Sequence, residues 1–164
     1  MWGRRAPFGK LRMGGEGRIP RMPPNTNAEI VRRLLNAFNE EGVEGVLAFY
    51  DDDCEVYDPD LPGNRTYRGK EGLCNLLELM LTGSEQTEIR DYELLPAGDR
   101  VVALIRTYFR GEGGGPEVEV RDAHTLTFRD GKIVYWRLYI DLVEALTDAG
   151  LDPELARPAS PEVA

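Results

Sequence analysis

The sequence predicts an α+β domain in which helices lie against one face of a curved antiparallel sheet. Two patterns carry that expectation. In the first half, apolar side chains recur every three to four positions, as in Ile30, Val31, Leu34, Leu35 and Phe38 and again in Leu73, Leu76, Leu77 and Met80, which is the spacing of amphipathic helices. From Thr87 onward they alternate, and turn residues at Pro96-Ala97-Gly98-Asp99, Gly111 to Pro116 and Arg129-Asp130-Gly131-Lys132 divide the alternation into a four-strand meander. Helices followed by consecutive strands make an α+β arrangement.

Taken in order, residues 1–25 are rich in Gly, Pro and Arg without apolar period, and a disordered basic leader is expected there. Asn25-Thr26-Asn27 offers a helix cap, and Gly42 ends the first helix. Val43, Val46, Leu47 and Phe49 suit a short second helix, with Asp51-Asp52-Asp53 as the corner after it. Cys54 to Asp58 reads as a lone strand with Cys54, Val56 and Asp58 on one face. Pro59 and Pro62 make the next segment a loop. A third helix follows Gly69, then strands near residues 88–95, 101–110, 118–129 and 133–140. Asp141 begins a last helix carrying Leu142, Val143, Ala145 and Leu146, and Gly150 caps it. One domain over 26–151 and a flexible tail over 152–164 complete the plan.

A formal charge of −9 is split between about +5 in the first 24 residues and −14 in the rest. An acidic body of this kind repels phosphate backbones, so nucleic acid is not the expected partner. No apolar run approaches a membrane span. Cys54 and Cys74 lack metal-ligand spacing and read as reduced thiols of a cytoplasmic protein. The Asp51–Asp53 run reads as a solvated corner, Gly113–Gly115 as a hairpin tip, and neither a metal nor a cofactor is expected.

The chemistry concentrates in the last hairpin. Val118, Val120, Leu126 and Phe128 share one strand face with Asp122 and His124, the single histidine. The following strand, Ile133 to Ile140, is apolar or aromatic nearly throughout and is expected to be covered on both faces. Trp136, Leu138, Leu34 and Phe38 are candidate pocket lining, with Arg106 and Tyr108 as candidate ligand contacts on one face of another strand. A desolvated carboxylate at Asp58 approaches general-base strength, or instead caps the Pro59 turn. His124 either donates to an oxygen gaining negative charge or is satisfied by Asp122, which as a catalytic partner would orient it. A buried Arg106 needs an acidic partner, with Asp58, Asp122 and Asp141 as candidates. Tyr135, Arg137 and Tyr139 on the outer face of the closing strand predict a homodimer.

Phe49 to Pro59, followed by Tyr67-Arg68-Gly69-Lys70-Glu71-Gly72, resembles the helix-strand-loop-helix signature of the nuclear transport factor 2-like superfamily. Arg129 to Ile133 and Trp136 to Asp141 resemble its closing strand, and Asp141 to Leu151 resembles the SnoaL-like branch. The resemblance spans about residues 27–151. It implies a cone-shaped barrel with a deep apolar pocket, often dimeric through the outer sheet face, in a superfamily of polyketide cyclases, ketosteroid isomerases, dehydratases, limonene epoxide hydrolases and noncatalytic binders. Asp58 before Pro59 matches the isomerases' general base, Leu34 stands where they carry an oxyanion-stabilising tyrosine, and His124 falls where they hold a protonated aspartate. Arg106 and Trp136 match the epoxide hydrolases, whereas Tyr108 and Leu138 replace both of their catalytic aspartates. The expectation is a small apolar ring-containing ligand and cofactor-free proton transfer by Asp58. In it His124, helped by Tyr108 or Arg106, holds the enolate oxygen. The alternative is a noncatalytic binding or dimeric accessory domain.

Overall fold

Thr26 opens the first helix by accepting the Glu29 amide on Oγ1 at 3.3 Å. Helix α1 (Asn27–Glu41) then buries Ala28, Ile30, Val31, Leu34 and Leu35 and stops at Gly42, whose φ of 71° suits a residue without a side chain. The computed structural model describes residues 26–61, Gly63 and 66–156; the expected leader and residues 157–164 of the expected tail lie outside them. Helix α2 (Val43–Val46) and a 3-10 turn (Leu47–Phe49) lead into strand β1 (Tyr50–Tyr57), and a short strand β2 (Thr66–Arg68) precedes helix α3 (Gly69–Leu81). Four long strands follow: β3 (Ser84–Ala97), β4 (Arg100–Gly111), β5 (Glu117–Arg129) and β6 (Lys132–Tyr139). Asp130 at φ 51° and Gly131 at φ 79° form the two-residue β5–β6 turn, the left-handed geometry that matches strand twist. Helix α4 (Leu142–Asp148) is capped by Asp141, whose carboxylate accepts the Val143 and Glu144 amides, and a 3-10 turn (Pro153–Ala156) follows it.

The α+β class is as predicted, and the curved sheet stays open, in the order β2-β1-β6-β5-β4-β3. Its assembly differs from the expectation in three ways. First, β1 begins at Tyr50, so Asp51, Asp52 and Asp53 lie within a strand rather than at a corner. Asp52 and Asp53 stay exposed there because the register along β6 is interrupted between Tyr50 and Glu55. Second, β1 pairs with β6 in parallel, Tyr50 with Ile133 and Val56 with Trp136, so the sheet is not wholly antiparallel. Third, the helices do not all cover one face. Helices α1 and α3 pack with Val101, Ala103, Ile105, Leu126, Trp136 and Leu138 on the inner face. Helix α4 packs its Ala145 and Leu146 on Leu95, Val102, Leu104, Ala123 and Tyr139 of the outer face. The alternation along β4 assigns odd residues inward and even residues outward, and both sets are buried between residues 101 and 105.

Two smaller corrections follow from the same layering. Val118 and Val120 face inward by parity yet are exposed, because they sit at the Gly111–Pro116 end where the helical layer leaves the inner face open. Val143 of α4 is exposed as well, since only Ala145 and Leu146 of that helix reach full burial. At the free edge of the sheet, Asn39 of α1 takes the place of a neighbouring strand. Its Nδ2 donates to the Ile89 carbonyl at 2.7 Å and its Oδ1 accepts the Ile89 amide at 2.9 Å. That pair holds the C-terminal half of α1 against β3.

Candidate functional site

Between α1, α3 and the inner face of the sheet lies a partly enclosed cavity of about 100 Å³. A single water needs roughly 10–15 Å³, so the space accommodates a small organic molecule. Leu34 and Phe38 line it from α1, Tyr50 from β1, Ile105, Thr107 and Phe109 from β4, Asp122, His124 and Leu126 from β5, and Trp136 from β6. The wall is apolar except where Asp122, His124, Trp136, Tyr50 and the threonines Thr87 and Thr107 reach it.

Three of these polar side chains form one connected chain. The Trp136 indole N–H donates to His124 Nδ1 at 2.9 Å. Because an indole nitrogen only donates, Nδ1 is the unprotonated nitrogen of a neutral ring and Nε2 carries the hydrogen. Nε2 lies 3.1 Å from Asp122 Oδ1 and donates to it. The two aromatic rings are inclined by only 20°, with centroids 5.5 Å apart. Register explains why they meet: Trp136 is opposite Leu126, and His124 is one step along the same face, opposite Leu138.

Asp58 is placed beside this chain and not in it. Tyr57 pairs with Arg137, so Asp58 comes level with Leu138, which itself faces His124. Two strand spacings, roughly 9–10 Å, therefore separate the backbones of Asp58 and His124. Asp58 is 7% exposed. Burial raises its carboxyl pKa, opposed by the hydrogen bond from the Asp60 amide, while the negative charges of Asp60 and Asp122 add to the rise. Its Oδ1 accepts that amide at 3.0 Å, so the turn-capping role is real. Asp58 is not among the residues that line the cavity, and neither is Leu138, which belongs to the inner core between Asp58 and His124.

Arg106 and Tyr108 require a correction. Both lie on the outer face, because the inward residues of β4 are Ile105, Thr107 and Phe109. The partners of Arg106 are Glu119 at 2.8 Å and Asp91 at 3.9 Å, neither of them among the three expected aspartates. Tyr108 is 2% exposed beneath the Arg90 guanidinium, which stacks 4.3 Å from its ring centroid. Of the nine predicted site residues, Leu34, Phe38, Asp122, His124 and Trp136 meet at the cavity. Tyr50, Thr107 and Phe109 are cavity residues that the sequence did not single out. The signal for Tyr50 was its even position, shared with Cys54, Val56 and Asp58, had the strand been started at residue 50.

No curated protein matches the chain in sequence. Among solved structures, TerC co-crystallised with polyporic acid superimposes with a TM-score of 0.61 at 24% identity, over 72% of this chain and 93% of TerC. A nuclear transport factor 2-like protein from Burkholderia pseudomallei gives 0.62 at 23% identity, over 76% of this chain and 97% of its own. A candidate SnoaL-like polyketide cyclase from Jannaschia sp. gives 0.61 at 20% identity, over 81% and 99%. These likenesses establish the fold. Residues 31–136, most of the described domain, match the family model of the SnoaL-like domain, and the chain belongs to that family.

Proposed function

We propose that this protein binds a small, largely apolar ring compound in the cavity and, without a cofactor, moves a proton on the carbon beside its carbonyl group. The observation that carries this reading is the hydrogen-bonded chain Trp136–His124–Asp122, ending in a mostly apolar cavity. His124 holds one oxygen of Asp122 in place, and the other has no hydrogen-bond partner among the described residues. Asp122 would take the carbon-bound proton, the electron pair of that bond passing to the carbonyl oxygen as an enolate. The same carboxyl would then return the proton to carbon. The assignment replaces Asp58 as the base with Asp122, because only Asp122 lines the cavity. That TerC was co-crystallised with polyporic acid, and a ketosteroid isomerase-like fold from Catenulispora acidiphila with trimethylamine, supports small organic ligands for this fold. The free thiols of Cys54 and Cys74 support a cytoplasmic setting.

The test is deuterium exchange from D2O into the carbons flanking the carbonyl of a panel of ring ketones, followed by NMR. The protein is expected to accelerate exchange for ketones that bind, and Asp122→Asn to lose roughly 10²- to 10⁴-fold of that acceleration. Full acceleration by Asp122→Asn would overturn the assignment. A second reading, binding without chemistry, is favoured by the completeness of the polar set: both His124 nitrogens and one Asp58 oxygen are already bonded within the protein. Tight binding with no exchange above solvent across the panel would establish it.

A further inference from the structure

Resting on that reading, we propose that Tyr50 donates its phenolic O–H to the carbonyl oxygen of the bound compound, so the cavity selects rings that carry an acceptor at that point. Tyr50 starts β1, opposite Ile133 of β6, and lines the cavity with only 3% of its surface exposed. Its ring is tilted 52° against Trp136, with centroids 6.2 Å apart. The hydroxyl makes no hydrogen bond among the described residues. A hydroxyl that belongs to a cavity wall and has no partner within the protein is free to donate to what enters the cavity. The Tyr139 hydroxyl, by contrast, donates to Asp148 at 2.9 Å.

The other donors of the wall are accounted for. Trp136 gives its N–H to His124, and His124 gives its own to Asp122. Thr87 shares a hydrogen bond with Ser84 at 2.8 Å. Asp122 as a carboxylate only accepts. That leaves the hydroxyls of Tyr50 and Thr107. Thr107 is half-buried on β4, where water can reach it, whereas Tyr50 is nearly closed off from solvent. Burial also raises the phenol pKa far above its ordinary value, so the group stays protonated and remains a donor. Tyr50 packs against the same indole that anchors His124, which puts the donor and the Asp122 carboxylate on one cavity and gives a ring ketone both groups it needs: an O–H for its oxygen and a base for the neighbouring carbon.

The experiment compares 1-tetralone with tetralin, the same ring system without the carbonyl, by calorimetry on the wild-type protein, Tyr50→Phe and Thr107→Val. The wild type is expected to prefer 1-tetralone by about tenfold, the order of one neutral hydrogen bond. Tyr50→Phe should abolish the preference and Thr107→Val should keep it. Free Tyr50→Phe should also melt no lower than the wild type, since no hydrogen bond within the protein is lost. Persistence of the preference in Tyr50→Phe, its loss in Thr107→Val instead, or a clear fall in the melting temperature of free Tyr50→Phe would each overturn the role of Tyr50. Should neither compound bind the wild type, the ring-compound reading itself falls, and this inference with it.

Discussion

His124 has one ring hydrogen to give and gives it to Asp122, while its other nitrogen receives the Trp136 indole. The ring therefore cannot also donate to a ligand oxygen, the role its residue type had suggested. In the proposed function it aims Asp122 instead. Asp58 contributes differently, through pH. Its folded pKa is raised above the ordinary 3.8, so the stability it contributes is complete below that value and is lost as pH rises through the folded pKa. Asp58→Asn keeps an oxygen for the Asp60 amide and removes the titration. Urea unfolding across the acid range is expected to show that the variant gains stability relative to wild type as pH rises past 3.8. An unchanged difference across that range would mean that Asp58 is not desolvated in solution.

At the scale of elements, the junction between α1 and β3 depends on Asn39. The two bonds from its amide to Ile89 are worth about 1–2 kcal/mol together at a partly exposed edge. Asn39→Ala is expected to lower unfolding free energy by that amount in urea titration. Because Phe38 and Ile89 line the cavity on either side of the junction, ligand affinity should fall with it; full stability in the variant would count against the role. The elements that sequence disclosed were those specified locally. Thr26, Gly42, Asp141 and the Asp130-Gly131 turn each act within a few residues of themselves, so their identity was enough. Arg106 and Tyr108 were misplaced because Val101 to Ile105 is buried on both faces, and an unbroken apolar run carries no sign of which parity points inward. The Trp136–His124 bond crosses between strands and depends on register, which the spacing of one strand does not encode.

For the whole molecule, the decisive layer is the one that sequence put on the wrong face. Helix α4 buries Tyr139 to 5% exposure, and Arg137 stacks over the Tyr139 and Tyr57 rings while bonding Glu144. The aromatic surface on which a homodimer was expected is thus partly covered by the chain itself. A homodimer remains our proposal on what α4 leaves open, the outer face of β3 and β4. There Arg90 pairs with Glu88 and Glu117, and Arg106 with Glu119 and Asp91. Association through such charges is expected to weaken with salt, and sedimentation equilibrium at micromolar concentration reads it as a mass falling from low to molar salt. One subunit mass throughout, or a dimer indifferent to salt, would contradict it. Described residues include no helix long and apolar enough to cross a membrane.

The parallel seam between β1 and β6 also orders events during synthesis. Tyr50 and Val56 leave the ribosome long before Ile133 and Trp136, the residues they pair with. Until β6 emerges, β1 has only the short β2 as a strand neighbour, and the backbone groups of its other edge wait unpaired. Closing so distant a pair is slow compared with forming the local β3–β4–β5 hairpins. The open edge of β1 therefore belongs to the time of synthesis, and it closes with the arrival of the same strand that completes the Trp136–His124–Asp122 chain.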